Sequence, residues 1–283
     1  MQSSELPNGS QVAEAKHEAV TAVKTAEKHP SARIKENQTP RMKRMLEQLS
    51  EPGASSWLGV LPIESYGCRL NKSEFQDALA IRYCSNIKNI PSKCPCGGNF
   101  NLTHALNCHR GGFVNARHDK IRNLESKLLS SILHDVESEP SLQPVVNKQG
   151  YRASANLRDD ARLDIRARGF FRDGQNAYFD VRVTNADCAS QQGKSIKSVL
   201  KKHEAEKKLS YNRRVMEVEH GSFTPLVFTT TGVMSHECSL FHKLLAEKIS
   251  AKKNEMYSDV MRYLRVKLSF LALKSTLLCV RGS

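Results

Sequence analysis

Between Arg162 and Thr184 polar and apolar residues alternate along two arms, RLDIRARGF and YFDVRVT. In the first arm Leu163, Ile165 and Ala167 point one way, and Arg162, Asp164 and Arg166 the other. In the second, Phe179, Val181 and Val183 oppose Asp180, Arg182 and Thr184. Strict alternation marks half-buried strands, and Asp173-Gly174 between the arms is a turn signal. The stretch therefore predicts a β-hairpin with Asp164, Asp180 and Arg182 on its polar face. A turn centred on Arg172 sets Asp164 opposite Asp180, whereas a tight Asp173-Gly174 turn offsets them. The pattern leaves both registers open.

Helical spacing flanks the hairpin. Ser73 to Tyr83 predicts a capped helix, with Phe75, Leu79, Ile81 and Tyr83 in or beside its apolar stripe. Arg117 to His134 predicts another, on the stripe Ile121, Leu124, Leu128 and Ile132. After Pro140, Leu142 to Val146 reads as a short strand. Beyond the hairpin come a basic helix from Ser195 to Val215, a buried-type strand from Thr224 to Thr230, and helices over Ser239–Ile249 and Tyr257–Leu278. Residues 1–50 are polar and nearly free of aromatics, which predicts a disordered or loosely helical tail; Ala13 to Lys28 is a weak helix candidate within it.

Composition narrows the classes of function. The chain of 283 residues carries 43 Lys and Arg against 29 Asp and Glu, a formal net charge of +14. Such an excess points to a polyanionic partner, usually nucleic acid. No apolar run approaches the roughly 18 residues a membrane span needs, so no membrane partner is expected. The N-terminus lacks the apolar core of a secretory signal. Eight cysteines without such a signal favour metal binding over disulfides.

Four of these features carry chemistry. Cys94, Cys96, His104 and Cys108 fall within 15 residues, with a Gly97-Gly98 turn after the first pair. Residues four apart on a helix share a face, so His104 and Cys108 can close a tetrahedral site for structural Zn²⁺. His109 is a substitute for either. The other cysteines, Cys68, Cys84, Cys188, Cys238 and Cys279, read as core thiols. On the hairpin, Asp164 and Asp180 offer the hard oxygen ligands that suit Mg²⁺, or Mn²⁺, in phosphate chemistry. On the preceding helix His118, Arg122 and Glu125 lie along one edge, and Glu125 is a candidate third ligand. The basic stretch from Lys194 to Arg214 holds eight Lys or Arg against two Glu. Its Lys201, Lys202, Lys207 and Lys208 are candidates to grip phosphates. His203 shares a face with Lys207, and Lys208 with Tyr211.

In order, helix, strand, hairpin, helix and strand give an α+β, α/β-like αβββαβ pattern, which resembles the core of the PD-(D/E)xK nuclease superfamily. The Cys/His loop, then Arg117-His118-Asp119, then Asp164, then Asp180, then Lys208-x-x-Tyr211 resembles more narrowly the C-terminal region of site-specific non-LTR retrotransposon proteins. Those carry a CCHC knuckle, an RHN-like motif, a PD…D/E pair and a KxxY motif in a restriction-like endonuclease. The motifs cover residues 90–232, and a looser likeness to retroelement relics covers 54–283. Departures are Leu163 where the family has Pro, Asp119 in the third RHN position, and Arg182 in the lysine position. Arg182 cannot give up a proton.

The resemblance implies a restriction-endonuclease-like core with a small zinc knuckle and flanking helices. It divides the chain into a tail (1–50), a helical lead-in (51–92), a knuckle (93–113), a nuclease core (114–236) and a C-terminal helical cover (237–283). It implies metal ligation by Asp164 and Asp180 with support from Glu125. Charge stabilisation falls to Lys208 or Arg182, with Lys207 in reserve, and nucleic-acid contacts to Arg117, His118 and Tyr211. The expected activity is metal-dependent DNA endonuclease chemistry, with RNA as an alternative substrate, in the nucleus. A reverse transcriptase encoded by a parent element is an implied partner, since this chain has no aromatic-x-Asp-Asp motif; Arg158 precedes Asp159-Asp160. Two rivals stand beside it: a nucleic-acid-binding protein with a dead nuclease core, and a degenerate retroelement fragment acting as an interaction module.

Overall fold

The computed structural model describes residues 38–145, 158 and 160–282. The expectations for Ala13 to Lys28, for Val146 and for Asp159 lie outside the described residues. Contacts group the chain into Met1–Leu46 and Glu47–Ser283. A helix, α1 (Pro40–Leu49), runs through the boundary, so the helical alternative holds for that part of the tail. The second unit holds the sheet and the helices that cover it.

Its elements after α1 are α2 (Lys72–Arg82), the single-turn α3 (Leu102–Ala105), α4 (Phe113–Ser130), β1 (Val136–Ser138), β2 (Ile165–Arg168), β3 (Asn176–Thr184), α5 (Ile196–Glu217), β4 (Ser222–Thr229), α6 (His236–Lys253) and α7 (Tyr257–Arg281). The fold is mixed α+β. One four-stranded sheet has the order β1-β2-β3-β4. The first two pairings are antiparallel, and β3 pairs with β4 in parallel, with α5 as the crossover.

Helix starts follow the local chemistry. Asn71 accepts from the Glu74 amide while Glu74 accepts from the Asn71 amide, a reciprocal cap on α2. Ser195 caps α5 through the Ser198 amide. Gly221, before β4, has no room for a side chain, because a Cβ there would come within 2.7 Å of the Asn176 carbonyl oxygen.

Both sheet faces are covered. Ile165, Ala167, Phe179, Val181, Leu226 and Phe228 pack with Ile121, Leu129, Phe241 and Leu264 from α4, α6 and α7. On the other side Tyr178 and Phe223 meet Val215, and Val227 meets Ile196 and Leu200, all from α5. The two C-terminal helices thus supply the core itself. A further cluster joins Trp57, Cys68 and Ile81 of the lead-in to Phe270, Leu273 and Leu277 of α7.

Several expectations need correction. The first strand is Val136–Ser138, pairing with β2, and Leu142 to Val145 is not a strand. Beyond β1 the pairing turns irregular: an isolated bridge joins Ser141 to Arg162, and the Leu142 amide donates to the Ala161 carbonyl at 2.9 Å. On α2 the inward residues are Asp77, Ala78 and Ile81, while Phe75 and Tyr83 are exposed. Asp77 turns inward because Arg281 grips both its oxygens, each at 2.7 Å. Cys84 and Cys188 are only half-buried, whereas Cys68, Cys238 and Cys279 are buried thiols. Leu163 does not share a face with Ile165: it packs with Tyr178 and Phe223, because the chain bends at Asp164 before β2 begins.

Candidate functional site

The bend at Asp164 builds the site. The β2–β3 register pairs Ile165 with Phe179, the register of a turn centred on Arg172. One step further Asp164 meets Asp180, but Asp164 lies just before β2 begins and the Val181 amide has lost its ladder partner. The Asp164 carboxylate replaces that partner, Oδ2 accepting from Val181 N at 2.6 Å. The same oxygen lies 3.1 Å from His118 Nε2, carried by α4. His118 Nδ1 faces Asp119 at 3.3 Å. Burial opposes charge on His118, yet the bond and charge of Asp164, with help from Asp119 and Asp180, push its pKa up to about 9.

Asp180 sits on β3 beneath α5 and is buried. Burial raises its pKa to about 6 against the opposing pull of Lys207; the Asp164 charge adds to the rise. Lys207 lies against Asp180 Oδ2 in an ion pair. Burial lowers the lysine pKa and Asp180 raises it, with a net rise. The Lys207 ammonium also stands 5.5 Å from the Tyr211 ring centroid. His118, Arg182 and Lys207 line one cleft of about 280 Å³ with Asn115 and Val181. Residues of α4, β3 and α5 therefore meet at one opening, and the acid pair contacts two of them, His118 and Lys207.

The other expected site residues are held by different partners. Lys208 turns away and pairs with Glu237 at 2.6 Å. Arg182 pairs with Glu206 at 2.8 Å. Glu125 is fully buried against His242, Oε1 to Nε2 at 3.0 Å, away from the Asp164–Asp180 pair. Arg117 is also buried: it donates to the Leu106 carbonyl at 3.2 Å and stands 4.0 Å from Cys279 Sγ. That clamps the Cys/His loop to α7. Lys201 and Lys202 are exposed, Lys202 lying 3.7 Å from Glu206. His203 is buried between Thr184 and Glu206. Sequence reading ranked Lys208 above Lys207 on the KxxY spacing; the deciding signal is that Lys207 follows His203, which faces β3, by one helical turn.

The second cluster is a metal-binding loop. Cys94, Cys96, His104 and Cys108 bring their ligand atoms within 4.8 Å of one another, the one such group of three or more among the described residues. Cys94 and Cys108 Sγ are 3.8 Å apart, and Cys96 Sγ is 3.3 Å from His104 Nε2. With Zn–S bonds of about 2.3 Å, a tetrahedral edge between two thiolates is also about 3.8 Å. The Gly97 amide donates to the Cys94 carbonyl and the Cys94 amide to the Gly98 carbonyl, closing the turn. At Gly98 a Cβ would fall 2.9 Å from the His104 ring, so that glycine leaves the imidazole room. The Gly98 amide lowers the Cys96 thiol pKa, favouring the thiolate a metal needs. Asn101 caps α3 through the His104 amide and fixes that residue. The cluster can hold a metal ion such as zinc; His109 is not part of it.

No protein-family model matches the chain, and a search of curated proteins finds no match. No helix among the described residues is long and apolar enough to cross a membrane.

Proposed function

We propose that the protein is a metal-dependent nuclease that cleaves DNA phosphodiester bonds, built on a PD-(D/E)xK-like core and derived from a retroelement. The contacts of Asp164 with His118 and of Asp180 with Lys207, two residues that line one cleft, carry this reading. The net charge of +14 suits a nucleic-acid substrate. The element order from α4 to β4 is αβββαβ, as the resemblance implies.

Asp164 and Asp180 would hold Mg²⁺ or Mn²⁺: both offer hard oxygens, and the strand register sets them opposite one another. A bound ion would supply phosphate polarisation and a lowered water pKa. Lys207 places a fixed positive charge where the phosphate gains negative charge. His118, held protonated, can give its proton to the leaving oxygen as the P–O bond breaks. The Cys/His loop is a structural zinc knuckle in this reading. Nuclear action, and cooperation with a reverse transcriptase from a parent element, go with it.

One observation favours the rival of a silent nucleic-acid-binding core: Lys207 and His118 already neutralise the two carboxylates. A plasmid-nicking assay with Mg²⁺ or Mn²⁺ separates the two. Nicking that Asp164→Asn abolishes supports the nuclease. Salt-sensitive DNA binding with no nicking supports the silent core, and no DNA affinity refutes both.

A further inference from the structure

A cavity of about 650 Å³ lies between α5, the start of α6 and α7, apart from the acid pair. Its volume is in the usual range for small-molecule sites, roughly 300–1,000 Å³. Its charges divide into two sets. The acids are engaged: Glu51 with Lys197 at 3.7 Å, Glu237 with Lys208 at 2.6 Å, and Glu204 with the Glu237 amide at 2.8 Å. Lys201, Lys243 and Arg265 also line the cavity and have no acidic partner among the described residues.

The start of α6 adds one donor. The Glu237 amide in its first turn is taken by Glu204, which leaves the Ser235 side chain. Ser235 at its N-cap position makes no capping bond. It lines the cavity, is 1 % exposed, and its hydroxyl has no hydrogen-bond partner. A buried hydroxyl left unpaired is destabilising, and a ligand oxygen would pair it. The rest of the wall is apolar: Leu200, Val233, Met234, Met261 and Leu264. Three unpaired cations, a waiting hydroxyl and an apolar wall fit an anion joined to an apolar, flat body.

We propose that this cavity is a binding site for a small phosphorylated ligand of the nucleotide class. The phosphates meet Lys201, Lys243, Arg265 and the Ser235 hydroxyl, and the base lies against Met234, Met261 and Leu264. The site is independent of the nuclease reading, since none of its residues touches Asp164 or Asp180.

Calorimetric titration of the full chain in magnesium-free buffer tests it, with ATP, tripolyphosphate and adenosine as probes. Saturable ATP binding with a Kd below about 1 mM is expected, with tripolyphosphate and adenosine each at least about tenfold weaker. Lys201→Gln/Lys243→Gln should weaken ATP by about tenfold or more, and Ser235→Ala by a few fold. Both lysines are exposed, so the double variant should fold. Asp164→Asn should bind ATP as the parent does, even if the parent never nicks DNA. Absence of saturable ATP binding, or equal affinity in the double variant, would overturn the site. Equal affinity for tripolyphosphate and ATP would overturn the nucleotide class.

Discussion

The Lys207 ammonium lies against the Asp180 carboxylate, while that of its neighbour Lys208 pairs with Glu237 at 2.6 Å. Adjacent residues on a helix point about 100° apart, so only one can reach β3. If nicking depends on charge at the phosphate, Lys207→Met should lower its rate by about 10²–10³. Lys208→Met should leave it within a few fold. The reverse ranking in single-turnover assays would return the role to the KxxY lysine.

For the Cys/His loop, metal analysis should find about one Zn²⁺ per chain in protein made without chelator. Cys108→Ser should lose the metal. Because Arg117 and Cys279 tie this loop to α7, metal loss should also lower the melting temperature. A stability loss of about 2–3 kcal/mol corresponds to roughly 4–12 °C for a domain of this size. A metal-free protein with an unchanged melting temperature would make the cluster a set of ordinary thiols.

Glu125 is a structural group by its position. It is fully buried on His242, whose Nδ1 lies 2.8 Å from the Cys238 carbonyl oxygen. Burial opposes charge on His242, but Glu125 outweighs it and raises the pKa. Without Glu125 the buried imidazole loses its proton and its partner, so Glu125→Ala should destabilise by about 1–3 kcal/mol. Glu125→Gln keeps an acceptor and should nick at near-parental rate wherever it folds. Nicking abolished in a folded Glu125→Gln would restore the metal-ligand role.

The hairpin was legible because strict alternation specifies strands, and the helices because their stripes and caps do. The bend at Asp164 was not, since alternation continues through Leu163 while the chain does not. Strand β1 is three residues long, too short for any period to show. The roles of Arg117 and Glu125 were hidden for another reason: charge on a helix edge reads as solvent-facing, and burial is decided by α6 and α7, more than a hundred residues away. The Cys/His loop was legible because metal ligands must cluster within a short turn-bounded span.

Stability should depend on pH in two windows. His118 has a folded pKa of about 9, above its ordinary 6.5. Its contribution is fully present below about pH 6.5 and is lost as pH rises through about 9, on the order of 2 kcal/mol after screening. Asp180, at about 6 against 3.8, is also raised. Its contribution is present below about pH 4 and lost by about pH 6–7. Urea melts of the parent and His118→Gln at pH 6.5 and 9.5 should converge at the higher pH. A constant gap between them would show that His118 is not held charged.

The acid pair carries the decisive test. Asp164→Asn keeps a side-chain oxygen for the Val181 amide but removes the charge, so the fold should survive. Asp180→Asn removes a buried charge but also takes the partner from Lys207, so that variant should fold with some loss of stability. Both should lose nicking by at least about 10³, while DNA affinity holds or rises because a negative charge near the phosphates is gone. Asp160, which precedes the bend, should tolerate Asn with no change. If the parent itself does not nick, Arg182→Lys becomes informative: Arg182 lines the same cleft and is held by Glu206 at 2.8 Å. A lysine there can give up a proton where arginine cannot, so gained activity would mark a decayed nuclease. Nicking that persists in Asp164→Asn, or that falls equally in Asp160→Asn, would place the chemistry elsewhere.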